Sequence, residues 1–74
     1  MISSYFSFGQ DHAHRLGGHT LDCDVIIEIN AVDDISARRR MFELFGDKWS
    51  FQYENLPDMD YFSRGIFNVD LGWI

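Results

Sequence analysis

Apolar and polar side chains alternate along most of this chain, and in one stretch the period lengthens to that of a helix. From Ser4 to Phe8 the rings of Phe6 and Phe8 fall on one side and Tyr5 and Ser7 on the other, which predicts a strand closed by Gly9. Residues 10–20 have no period and contain Gly17-Gly18, so they read as a loop or an irregular hairpin connection. Asp22 to Asn30 alternates most clearly. Cys23, Val25, Ile27 and Ile29 share a face that reads as core, while Asp22, Asp24, Ile26, Glu28 and Asn30 share one that is mostly acidic.

The next stretch changes period. Asp33 or Asp34 can cap a helix and places negative charge at its positive end. A helix over 34–45 gathers Ile35, Ala37, Met41, Phe42, Leu44 and Phe45 within a half-circle, and Gly46 stands where a left-handed residue ends it. Alternation then returns from Lys48 to Glu54, with Trp49, Phe51 and Tyr53 on one face. A loop around Pro57 follows, Tyr61-Phe62 can open a short extended piece, and Ile66 to Leu71 reads as the last strand. The order β-β-α-β-β predicts one α+β domain over 1–74: a small, mainly antiparallel four-stranded sheet with one helix on a face. Its predicted core face carries Phe6, Phe8, Val25, Ile27, Trp49, Phe51, Phe67 and Val69.

Composition sharpens this picture. The chain has 74 residues, near the lower size at which a hydrophobic core alone holds a fold. Seven Phe, three Tyr and two Trp supply the large side chains such a core needs, with a surplus that can meet a partner. A single cysteine excludes an internal disulfide framework and a cysteine-rich zinc site. No apolar run approaches the roughly 20 residues of a membrane span, and the start of the chain lacks the layout of a secretory signal, so a cytoplasmic location is expected. With 6 basic and 12 acidic residues the net charge is −6. Direct binding to nucleic acid or to an anionic membrane is therefore disfavoured, and a protein with a basic surface is the natural partner. A homo-oligomer is compatible with the same surplus of apolar side chains.

Candidate chemistry is concentrated between Phe6 and Asp24, which holds all 3 histidines and the single cysteine. His12 and His14, with His19 across the loop, can converge on a cation or small ligand, with Asp11, Asp22, Cys23 and Asp24 nearby, and the alternative role for the chain is such a metal- or ligand-binding module with the capacity for hydrolysis. The simpler expectation is that the imidazoles order the loop by hydrogen bonding, with no cofactor and no metal. No nucleophile–base spacing, helix-borne zinc motif or phosphate-cradling loop is present, so no enzymatic role is expected. Arg38, Arg39 and Arg40 are spread over about 200° of a helix and make no single basic patch. Arg38 projects into the apolar arc, where it can stack on Trp49 or Phe45 or else meet a ligand. Asp22, Asp24 and Glu28 line up at strand spacing around Ile26, and Asp58 and Asp60 repeat the pattern later. Together they offer an acidic contact surface with Ile26 as its apolar anchor.

Phe6-Ser7-Phe8-Gly9 followed by His12-x-His14 and Gly18-x-Thr20, then Phe45-Gly46-x-x-Trp49-x-Phe51-x-Tyr53, resembles small accessory proteins of tailed bacteriophages and prophages. The likeness extends to about Tyr53. It implies a protein acting in the cytoplasm of the host cell as a binder of a host macromolecule. The implied roles include anti-CRISPR and other anti-defence inhibition, or inhibition of a nucleic-acid-processing complex.

Overall fold

The computed structural model describes residues 1–73. Strand β1 (Ile2–Ser7) leads through a loop into a small hairpin of β2 (His14–Leu16) and β3 (His19–Leu21). Strand β4 (Val25–Ala31) and helix α1 (Asp34–Phe45) follow, then β5 (Phe51–Tyr53), a single 3-10 turn (Met59–Tyr61), β6 (Gly65–Asn68) and β7 (Gly72–Trp73). Five strands form one sheet in the order β5-β1-β4-β6-β7, and β2-β3 stands apart as a two-stranded ribbon. The α+β class and the single helix agree with the sequence pattern. The sheet is larger than expected and mixed, because β4 pairs with β6 in parallel while β1/β4, β1/β5 and β6/β7 are antiparallel.

Three local causes account for the differences from the simple β-β-α-β-β order. In the 10–20 stretch, Gly17 and Gly18 both take positive φ (58° and 84°), the backbone of a two-residue hairpin turn. That turn folds an aperiodic stretch back on itself. In the last segment, Asn68 is buried, and its Oδ1 accepts from the N–H groups of Asp70 (2.9 Å) and Leu71 (3.1 Å). The side chain thus captures amides that a strand would need, so the run breaks after Asn68, and Leu71 points to solvent. Before β5, the Ser50 N–H donates to the Ser7 carbonyl at 2.8 Å while Phe51 is already the ladder partner of Ser7. Two residues opposite one make a bulge, and a bulge reverses the faces that simple alternation assigns. Trp49 therefore packs against the core, whereas Phe51 is 62% exposed and Gln52 turns inward to donate Nε2–H to the Asp34 carbonyl at 2.9 Å. The expectation that Phe51 belongs to the core is corrected by that one extra residue.

The helix starts and ends where the pattern places it. Asp33 caps it, accepting the Ser36 N–H at 2.7 Å. Gly46 ends it with the positive φ expected of a glycine there, although its ψ of −132° sends the chain away extended instead of left-handed. Ala37, Met41 and Phe45 are buried at a spacing of four, with Leu44 half-buried beside them. Ile35 and Phe42, expected in the apolar arc, lie at its margins and remain largely exposed. The helix stripe packs on Phe6, Phe8, Val25, Ile27, Ile29 and Phe67, and Leu16 and Leu21 bring the β2-β3 ribbon onto the same face. Edge-to-face ring pairs tie this layer together, with Phe8–Phe45 at 5.1 Å and Phe6–Trp49 at 5.3 Å.

The opposite face is covered at its centre as well. Ile26 lies outside the helix-side cluster yet has no exposed surface. Strands β5 and β6 run in the same direction, so the 54–64 connection must travel back along the sheet between them. Pro57, Met59 and Phe62 in that connection are half-buried.

Candidate functional site

The histidine segment is held by aromatic and carbonyl partners. His14 opens β2 with its ring between Phe8 (5.1 Å) and Phe45 (4.8 Å), and its Nε2 is 2.7 Å from the Lys48 carbonyl, where it must donate. His19 opens β3 against Phe67 (5.1 Å), and its Nδ1 accepts the Trp73 indole N–H at 2.6 Å. The ribbon register pairs His14 with Leu21 and His19 with Leu16, which puts the two imidazoles at opposite ends of the hairpin. They do not converge. His12 sits beside His14 in a shallow depression of about 380 Å³ that Asp11, Ala13 and Lys48 complete.

The acidic row splits into three environments. Asp22 precedes β4, where its Oδ1 accepts the Asp24 N–H (3.1 Å) and the Arg64 guanidinium (2.9 Å). The same guanidinium also donates to the Thr20 carbonyl, so Arg64 pins the end of the 54–64 connection to the ribbon. Asp22, Cys23 and Asp24 do bring three donor atoms within 4.8 Å of one another, but Arg64 already balances Asp22. Ile26, expected as an exposed apolar anchor, is fully buried and cannot meet a partner. Glu28 is half-buried, opposite Tyr5 on β1 and Asn68 on β6, and accepts the Asn68 Nδ2–H at 2.9 Å. Burial, then the charge of Glu28 and a hydrogen bond to it, push the Tyr5 phenol above its ordinary value. Sequence alternation placed these residues on one face. It could not show that Glu28 would lie between Tyr5 of β1 and Asn68 of β6, or that Ile26 would be covered on its own face.

Arg38 lies with its guanidinium carbon 5.7 Å from the centre of the Trp49 ring, and Phe42 closes on the same indole at 5.4 Å. Trp49 donates its indole N–H to the Gly46 carbonyl at 3.1 Å, so this aromatic group is fixed at the C-terminal end of α1. Arg38 thus has a packing partner, one of the two places its position on the helix allowed.

The segment from Phe51 to Tyr61 remains accessible. Phe51 (62%), Leu56 (48%) and Tyr61 (76%) are exposed there, together with the carboxylates of Glu54, Asp58 and Asp60. Asp58 Oδ1 accepts the Asp60 N–H at 3.0 Å, which starts the 3-10 turn and sets the backbone of this stretch. Of these residues Asp58 and Asp60 stand out in the sequence as a candidate surface, and Tyr61 as an aromatic side chain not assigned to the core. Phe51 was hidden by the bulge, and Leu56 by lying in a stretch without period. No protein-family model, curated protein or solved structure matches the chain.

Proposed function

We propose that this is a small, acidic, non-enzymatic accessory protein of phage type that binds a host protein through the exposed segment 51–61, acting as an inhibitor of a defence or nucleic-acid-processing complex. The observation that carries this reading is the joint exposure of Phe51, Leu56 and Tyr61 with Glu54, Asp58 and Asp60 in one short segment. Exposed apolar side chains interspersed with charge are the composition of a protein-binding surface. With a net charge of −6 the complementary surface is basic, such as a groove that otherwise holds nucleic acid. The resemblance to phage accessory proteins supplies the class of partner; the side chains supply its charge.

Capture from a bacterial host lysate identifies the partner, and association kinetics at two ionic strengths then test the surface. Reversing Asp58 and Asp60 to lysine should slow association about tenfold at low salt, with the difference shrinking as salt rises. Reversing Arg39 and Arg40, which are exposed on the helix, is the control and should not slow it. Equal rates for the acidic-reversal variant and the unmutated chain at low salt would show that the contact lies elsewhere.

A further inference from the structure

The outer edge of the sheet at β5 has the features of a strand acceptor. The Ser7 carbonyl points to the β5 side, where it accepts the N–H of Ser50, the residue before β5, so Ser7 and its ladder partner Phe51 turn their peptide groups toward each other. Alternate residues of a ladder point their peptide groups to opposite sides, so Gln52, between Phe51 and Tyr53, presents its N–H and C=O outward. Among the described residues no group pairs with them. The Lys48 carbonyl is already engaged by His14, so the open edge begins beyond it and runs toward Glu54.

The two flanks of this edge differ in chemistry. On the face away from the helix, Phe51 and Tyr53 form a short aromatic ledge with ring centres 6.4 Å apart. On the helix side, a depression of about 370 Å³ lies at the end of β5, lined by Ile2, Ser3, Ser4, Asp34 and Glu54. Two carboxylates and no cation line it. A strand laid along the edge would send successive side chains alternately to the ledge and to the depression. We propose that β5 is a docking edge for an extended segment of the protein partner, one that alternates apolar side chains over Phe51 and Tyr53 with lysine or arginine directed at Asp34 and Glu54. This rests on the reading that the partner is basic, and it adds how the partner is held. A second copy of this chain is the wrong occupant, since it brings a further charge of −6 and its own Glu54 to an edge that already carries carboxylates.

The test titrates the isotope-labelled full chain at low salt with a capped pentapeptide of alternating lysine and valine. A second peptide has the same sequence with alternate backbone nitrogens methylated. The unmodified peptide should shift the Gln52 amide resonance most, and methylation should weaken binding about tenfold, because it removes edge hydrogen bonds while leaving the charges in place. The pair Asp34→Asn and Glu54→Gln should weaken binding of the unmodified peptide by a similar factor at low salt. Equal affinity of the two peptides, with shifts centred on Asp58 and Asp60, would overturn strand addition while leaving an acidic contact surface standing. No binding of either peptide by a chain that still captures a partner sensitive to charge reversal at Asp58 and Asp60 would also overturn strand addition alone. If the captured partner is indifferent to that reversal and neither peptide binds, both readings fall.

Discussion

A single glycine shows how closely residue choice and register are coupled here. Gly9 takes a φ of 67°, and a Cβ at that position would collide with the Ser50 hydroxyl, which donates to the Phe8 carbonyl at 2.8 Å. Gly9→Ala therefore meets both backbone strain and a clash at the bulge that sets the faces of β5. Its expected cost is about 1–3 kcal/mol, read from denaturant unfolding. Phe51→Ala, by contrast, removes an exposed ring and should change stability by less than about 1 kcal/mol, whereas Phe6→Ala, fully buried, should cost about 3–5 kcal/mol. The sequence announces Gly9 as a strand end but gives no sign that Ser50 will lie against it, because that contact depends on pairing two segments 42 residues apart. Tyr5 is a second case. Its phenol is raised by burial and by Glu28, so the neutral form is favoured in the folded chain. The associated stability is fully present below the unfolded value of about 10 and is lost as pH rises through the higher folded value. Glu28→Gln should move the Tyr5 titration back toward its ordinary position, which phenolate absorbance against pH will follow; an unchanged titration would remove Glu28 from the account.

Elements were legible in proportion to how local their signals are. Helix α1 needs only its own period, an aspartate in front and a glycine behind, and its span is the one the sequence predicts. The Ser36 N–H bonded to Asp33 holds that carboxyl below its usual value, so the cap contributes stability above the unfolded value of about 3.9. That contribution is lost as pH falls through the lower folded value. Asp33→Ala should lower the thermal midpoint at pH 7, and the difference from the unmutated chain should narrow as pH falls through the lowered folded value; a difference that does not change with pH would argue against the charged cap. Strands were less legible because their signals are shared. Asp22 to Asn30 alternates well enough to be read as a strand, and β4 forms over Val25–Ala31, but the alternation cannot say that Ile26 is covered on its face or that Glu28 lies between Tyr5 and Asn68. The candidate surface suffered most from this. Of the expected acidic row, Asp58 and Asp60 are open, Asp22 is engaged by Arg64, and Ile26 is enclosed.

At the scale of the whole molecule, the charge of −6 and the open β5 edge lie on a framework closed by long-range pairing. Strand β4 is its centre. Its antiparallel neighbour β1 is joined to it across 27 residues at the Ser3–Asn30 hydrogen bond, but its parallel neighbour β6 lies 40 residues away at the Glu28–Asn68 pair. Closing the longer loop costs more chain entropy, and the β6-β7 hairpin is short. The expected order of assembly is therefore β1, β4 and α1 first, with β6 and β7 docking onto a sheet that already exists. The reverse motion should be the easiest partial opening of the native state, a release of the C-terminal hairpin that frees Glu28 and exposes Ile26 while the β5 side stays intact. Amide hydrogen exchange measures this directly: protection in Ile66 and Phe67 should fall below that of Ile27 and Ile29. Asn68→Ala, which removes both the Glu28 bond and the amide-capturing turn, should widen that gap without loosening β5. The half of the sheet proposed to meet a partner would then be the half that holds its shape when the other lets go.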